Sequence, residues 1–136
     1  MAGKLKTVVV VDDDQLDLKM LTRVFEKEAP EISVSTCLGS HDAVEHILDC
    51  NTDIALLDIN MPGLNGFEVL ENVRKKGGKG FPPVIMLSTS ESNDDVERAY
   101  SCGASAYVVK PNNSEEFREL ARSMTSFWGK LVRRPA

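Results

Sequence analysis

Apolar and polar positions alternate in blocks along this chain, and the alternation recurs five times. Thr7, Val8, Val9, Val10 and Val11 make a short β-branched run that predicts a buried strand. From Gln15 to Glu28 apolar residues pair at Met20/Leu21 and Val24/Phe25, which is helical spacing, and Pro30 follows as a stop. Ile32 to Thr36 predicts a second strand, and Ser40 predicts the N-cap of a helix carrying Ala43, Val44, Ile47 and Leu48. Ile54 to Leu57 is a third apolar run, ending in Asp58. Met61 to Gly66 has loop chemistry, a helix from about Phe67 to Lys76 follows with Leu70 and Val73 inward, and Gly77, Gly78, Lys79 and Gly80 break it. Pro82 and Pro83 open a fourth strand, Val84 to Leu87, ending in Ser88. Asn93 or Asp94 starts a helix holding Val96, Ala99 and Tyr100, closed by Gly103. Ala106 to Val109 is the fifth strand, followed by Lys110 and Pro111. Ser114 is the expected cap of the last helix, with Glu115 and Glu116 at its positive end. Phe117, Leu120, Ala121, Met124 and Trp128 then form one helical stripe, whose first reading is core; Phe127 lies off it and is the better candidate for an exposed contact.

Five strand–helix units in strict alternation imply the α/β class: a doubly wound, mostly parallel sheet with helices on both faces. The continuously apolar strands fit, because parallel strands are buried on both sides. In such sheets the chemistry gathers at the carboxyl ends of the strands.

Composition narrows the class without changing it. The chain has 136 residues, which suits a single domain with a core from about residue 7 to 128 and a short basic tail over 129–136. Hydrophobic residues make up 42% and charged residues 27%, ordinary for a globular protein able to bury a core without disulfides. A formal net charge of -5 argues against nucleic acid as a partner. The basic cluster at the C-terminus, Lys130, Arg133 and Arg134, suits a solvated tail. Cys37, Cys50 and Cys102 are odd in number with no metal-type spacing, as for small apolar residues in a reducing compartment. The first apolar run is too short for the core of a signal peptide, and no stretch approaches transmembrane length. The expectation is a cytoplasmic protein without membrane contact.

The strand ends carry the candidate chemistry. Strand one runs into Asp12, Asp13 and Asp14; strand three ends in Asp58, strand four in Ser88 and Thr89, strand five in Lys110. Carboxylates brought within a few ångströms repel unless a cation sits among them. Two or three carboxylates plus water is typical Mg2+ coordination, completed by a phosphate oxygen. Lys110 adds a positive charge for an acid or a phosphoryl oxygen, and Ser88 a donor at the same rim. A carboxylate can act as a phosphoryl nucleophile and become an acyl phosphate. Taken singly each residue has a plainer role: a turn or N-cap for an aspartate (Asp14 above all), a cap for Ser88, a solvated side chain for Lys110. Their convergence on one sheet edge is what favours a site.

Four segments then carry a family resemblance. Residues 8–14 (VVVVDDD), 56–66 (LLDINMPGLNG), 84–88 (VIMLS) and 103–111 (GASAYVVKP) resemble the receiver domain of bacterial two-component response regulators. The resemblance spans Thr7 to about Trp128. It implies a flavodoxin-like (βα)5 fold with strand order 2-1-3-4-5. It also implies a phosphorelay module that is regulatory rather than an enzyme on other substrates, with Asp58 as phosphoacceptor. Asp12 and Asp13 would organise Mg2+ (or Mn2+) together with Asp58, and Asn60 would offer its backbone carbonyl. Ser88 is similar to the switch hydroxyl, Lys110 to the lysine that binds a phosphoryl oxygen, and Tyr107 to the aromatic that swings inward. The implied donor is a histidine kinase or phosphotransfer protein. The implied output is a protein target, or a second copy, meeting the surface of helix 4, strand 5 and helix 5. The Ser88-Thr89-Ser90 run and the Phe127-Trp128 pair resemble single-domain receivers associated with phytochrome-type kinases, and no output domain is expected after Trp128.

Three rival readings fit the same residues less well. Asp12-x-Asp14 formally fits the first motif of haloacid-dehalogenase-type aspartate phosphatases, but that reading lacks their late acidic pair and leaves Asp58 without a role. A receiver fold used only as an unphosphorylated interaction module has no need of Asp12, Asp13 and Lys110. A flavodoxin-like FMN binder would need a phosphate loop where the first strand instead meets acids.

Overall fold

The structure, a computed structural model, describes residues 5–49, 51–77 and 82–131. Ten elements alternate: β1 (Thr7–Asp12), α1 (Gln15–Glu28), β2 (Ser33–Leu38), α2 (Ala43–Leu48), β3 (Ile54–Asp58), α3 (Gly66–Gly77), β4 (Val84–Ser88), α4 (Asn93–Ser101), β5 (Ala106–Val109) and α5 (Ser114–Ser126). A π-helical turn over Phe127–Leu131 continues α5. Every strand pair is parallel and the sheet order is β2-β1-β3-β4-β5, the expected doubly wound arrangement.

The period of two along each strand sorts the core into two layers. Val9, Val11, Ala55, Leu57, Val84 and Met86 face one way and pack with Ala43, Val44 and Ile47 of α2 and Phe67, Leu70 and Val73 of α3. Val8, Val10, Ile54, Leu56, Ile85 and Leu87 face the other way and meet Leu18, Leu21, Val24 and Phe25 of α1 and Phe117, Ala121 and Met124 of α5. The last-helix stripe is therefore core, with Leu120 and Trp128 packed partly buried against it. Phe127 lies off the stripe, half exposed and edge-on to Trp128.

Several element ends differ from the sequence expectation. β2 runs two residues past Thr36 because its ladder with β1 continues to Asp12↔Leu38. Ser40 is not the N-cap of α2. That helix starts at Ala43 behind Asp42, which holds a left-handed backbone (φ 61°) and makes no side-chain cap bond. The Ser40 hydroxyl instead donates to the Pro62 carbonyl (3.1 Å) and accepts from the Leu64 N–H (3.2 Å), tying the β2–α2 loop to the β3–α3 loop. On α5 the cap is Asn113, not Ser114: Asn113 Oδ1 accepts from the Glu116 N–H, and Glu116 Oε1 accepts from the Asn112 N–H. α4 starts at Asn93 as expected, capped by Ser92, and Gly103 (φ 105°) takes the left-handed turn after it. α4 buries only Ala99 and leaves Tyr100 half exposed, so it is the most lightly held of the helices. Cys37 is buried and Cys102 partly buried, both free thiols; Cys50, Gly78 to Gly80, Arg133 and Arg134 lie outside the described residues.

Candidate functional site

Sheet register brings the strand-end residues together. Val11 pairs with Leu57, which sets Asp12 beside Asp58. Asp58 pairs with Leu87, so Ser88 follows one step on, and Ser88 pairs with Val109, so Lys110 follows that. The Lys110 N–H donates to the Ser88 carbonyl at 2.7 Å and anchors the base of the lysine to β4. Behind Asp58 the chain needs Gly66. A Cβ there would lie 2.3 Å from the Asp58 carbonyl oxygen, while the Gly66 N–H donates to Ile59 O at 2.8 Å. The β3–α3 loop is thus folded tightly beneath the aspartate, and an Asn65/Glu68 capping box starts α3 directly after it.

Oxygens of Asp12, Asp13 and Asp58 lie within 4.8 Å of one another. Asp12 and Asp58 are buried and Asp13 is exposed, so the trio opens to solvent on one side. Lys110 reaches over them with its side chain only 10% exposed, its ammonium 2.8 Å from Asp12 Oδ2, 2.8 Å from Asp17 Oδ2 and 3.6 Å from Asp58 Oδ1. Burial pushes the Asp58 carboxyl up to about 7; Asp12 and Asp13 push the same way, and Lys110 only partly offsets them. Burial raises Asp12 too, against its bonds from Lys110 and the Asp14 N–H. Burial opposes the charge on Lys110, yet Asp12, Asp17 and Asp58 outweigh it and hold the amine above its ordinary value.

This donor set fits a divalent cation. Three carboxylates share one mouth, one of them resists ionisation without a further positive charge, and the nearest ammonium is already spread over three acids. Hard oxygen ligands on one open side suit Mg2+ or Mn2+, with positions left for water and a phosphoryl oxygen.

Each residue singled out from sequence has a definite place. Asp14 caps α1, accepting from Leu16 N–H (2.9 Å) and Asp17 N–H (3.4 Å). Asn60 lies exposed on the β3–α3 loop, two residues after Asp58. Ser88 is fully buried and its Oγ accepts from Ser90 N–H at 3.1 Å, whereas Thr89 is exposed. Tyr107 packs partly buried against the α2/α3 layer and donates its hydroxyl to the Ser90 carbonyl at 2.8 Å. Ser90 therefore touches both Ser88 and Tyr107. Asp17 was not among the expected site residues; its only sequence signal is a spacing of four from Asp13 across the start of a helix. Both Asp12 oxygens are engaged, Oδ1 by Asp14 N–H and Oδ2 by Lys110, which disfavours Asp12 as a nucleophile.

Comparison with known proteins bears on this geometry. The family model described as response regulator receiver domain matches residues 8–122. A crystal structure of a response regulator in red light signaling of R. palustris is 35% identical, with TM-score 0.78, covering 97% of this chain and 99% of that one. The Mn(2+)-bound form of response regulator Rcp1 is 26% identical, with TM-score 0.78, covering 96% and 99%. The phosphorylated cyanobacterial phytochrome response regulator RcpA, at 23% identity and TM-score 0.84 over 97% and 99%, shares the fold.

Proposed function

This chain belongs to the response regulator receiver domain family, and from that premise we propose that it is a phosphorelay switch whose phosphoacceptor is Asp58. The observation that carries the reading is the trio Asp12, Asp13 and Asp58 within 4.8 Å under the Lys110 ammonium. A histidine kinase or phosphotransfer protein presents a phosphohistidine. An Asp58 oxygen attacks phosphorus in line, the P–O bond forms as the P–N bond breaks, and the imidazole leaves with the bonding pair. Asp12, Asp13, Asp58 and the Asn60 carbonyl would hold Mg2+, with Mn2+ as a substitute, and the ion supplies charge neutralisation at the phosphoryl oxygens. The 26% identity to an Mn(2+)-bound response regulator supports that ligand class.

Lys110 neutralises a second phosphoryl oxygen, starting 3.6 Å from Asp58. Ser88 leaves the Ser90 N–H to donate to the phosphoryl group. Because Ser90 also holds the Tyr107 hydroxyl, this exchange is felt at β5 and α4. The surface that reads it is α4–β5–α5, where Tyr100, Val109 and Phe127 are each about half exposed and suit a protein target or a second copy. The likeness to a response regulator in red light signaling, with the Ser88-Thr89-Ser90 run, supports a phytochrome-associated kinase as donor. No helix among the described residues is long and apolar enough to cross a membrane, in keeping with a cytoplasmic site of action.

Incubation with acetyl phosphate and Mg2+ tests the assignment. Asp58 is expected to carry the label, and Asp58→Asn to abolish it. Label on Asp12, or undiminished labelling of Asp58→Asn, would overturn the reading.

A further inference from the structure

The phosphoryl transfer uses Asp12, Asp13, Asp58, Asn60, Ser88 and Lys110 and gives Asp17 no part. Yet Asp17 Oδ2 lies 2.8 Å from Lys110 Nζ, as close as Asp12 and closer than Asp58. Its plain reading is an acid in the first turn of α1 that complements the helix dipole. Two observations exceed that reading. Its partner is a nearly buried ammonium rather than a surface lysine. Its own backbone is fixed by the Asp14 cap, so its side chain is aimed from a rigid helix start.

We propose that Asp17 is a positioning residue for Lys110, holding the ammonium above Asp58 but off the nucleophilic oxygen until a phosphoryl group arrives. An ammonium has three N–H donors. Asp12 and Asp17 hold the ammonium as the closest ion-pair partners, both at 2.8 Å, and Asp58 stands farther off at 3.6 Å. Without Asp17 the ammonium settles between Asp12 and Asp58. A tighter pair with Asp58 stabilises the carboxylate before attack and ties up the lone pair that must form the P–O bond. That stabilises the ground state rather than the charge developing on the phosphoryl oxygens, so the step slows. Asp17 thus assists the reaction without touching the phosphoryl group. This inference rests on Asp58 being the acceptor.

The test uses the full chain with acetyl phosphate at saturating Mg2+, following the rate at which Asp58 is labelled and the nitrogen resonance of the Lys110 ammonium. Asp17→Asn keeps the shape and removes the charge; it is expected to slow labelling about tenfold, as a displaced catalytic group does, and to move the Lys110 resonance. Asp17→Glu restores the carboxylate and is expected to recover most of the rate and return the resonance toward wild type. A purely structural role would leave the resonance in place and give the glutamate no advantage. The inference is overturned if Asp17→Asn labels as fast as wild type or faster, if the Lys110 resonance does not move, or if Asp17→Glu is as slow as Asp17→Asn. If wild type takes no label on Asp58, the phosphoacceptor reading fails first and this inference falls with it. If wild type labels normally and Asp17→Asn matches it, only the role of Asp17 is lost.

Discussion

Asp58 and Lys110 illustrate how much of a site's character comes from burial. In water Asp58 would ionise near 3.8, whereas here desolvation, with Asp12 beside it, pushes it up to about 7. The metal-free native state therefore holds the Asp58 proton more tightly than the unfolded chain does. By linkage, this group's contribution to stability is fully present below pH 3.8 and is lost as pH rises toward about 7. In chelator, Asp58→Asn should match wild type near pH 4 and exceed it by on the order of 4 kcal/mol above pH 7. Chemical denaturation across that range checks it, and an advantage that shrinks with rising pH would contradict it. Lys110 has the opposite character. Replacing it by Met leaves Asp12 buried beside Asp58 with no cation, and should cost about 3–5 kcal/mol at neutral pH in the metal-free protein, read from the urea midpoint. Asp58 and Lys110 were legible from sequence because each ends an apolar run. Asp17 was not, because an acid in the first turn of a helix has an ordinary explanation that only the 2.8 Å contact displaces.

At the scale of elements, strands and helix interiors were legible and their ends were less so. Interiors follow from periodicity, which many residues report together. An end depends on one or two residues with similar capping ability, and distant contacts choose between them. Asn113 and Ser114 can both cap α5, but the Asn113 backbone is extended (φ -147°, ψ 167°) and its side chain takes the Glu116 N–H. Asn113→Ala should therefore cost about 1 kcal/mol of unfolding free energy. Ser114→Ala should stay within about 0.5 kcal/mol of wild type, and equal losses in thermal melts would show that the cap is shared. Ser40 had the right chemistry for a cap, and Pro62 and Leu64 claimed it instead. Nothing local to residues 38–45 announces that choice, because the partners come from the loop after β3.

For the whole molecule, two apolar layers hold five strands in parallel, and the register they set gathers the acids into one mouth. The fold concentrates negative charge where a cation can relieve it, so stability and metal binding should be linked. At a free Mg2+ concentration about 100-fold above its dissociation constant, the native state should gain about 2.7 kcal/mol. Asp13 is exposed, so Asp13→Asn should leave the metal-free melting temperature nearly unchanged while removing most of that Mg2+-dependent rise, as thermal melts across a Mg2+ series would record. An equal rise in the variant would mean that the ion binds elsewhere.

The amino-acid sequence by itself determined the class of fold, its buried strands and helix faces, and the four strand ends at which Asp12, Asp58, Ser88 and Lys110 wait. It could do so because strands buried on both sides demand unbroken apolar runs and helices a 3.6 period, signals that many residues report together. Only the tertiary structure decided which groups meet: the Asp17 and Lys110 side chains, the Ser90 backbone between Ser88 and Tyr107, Ser40 with the loop beneath Asp58, and Gly66 against the Asp58 carbonyl. Apart from the local Ser88–Ser90 bond, these are contacts between segments distant in sequence, set by register and packing, and no local pattern of residues encodes them.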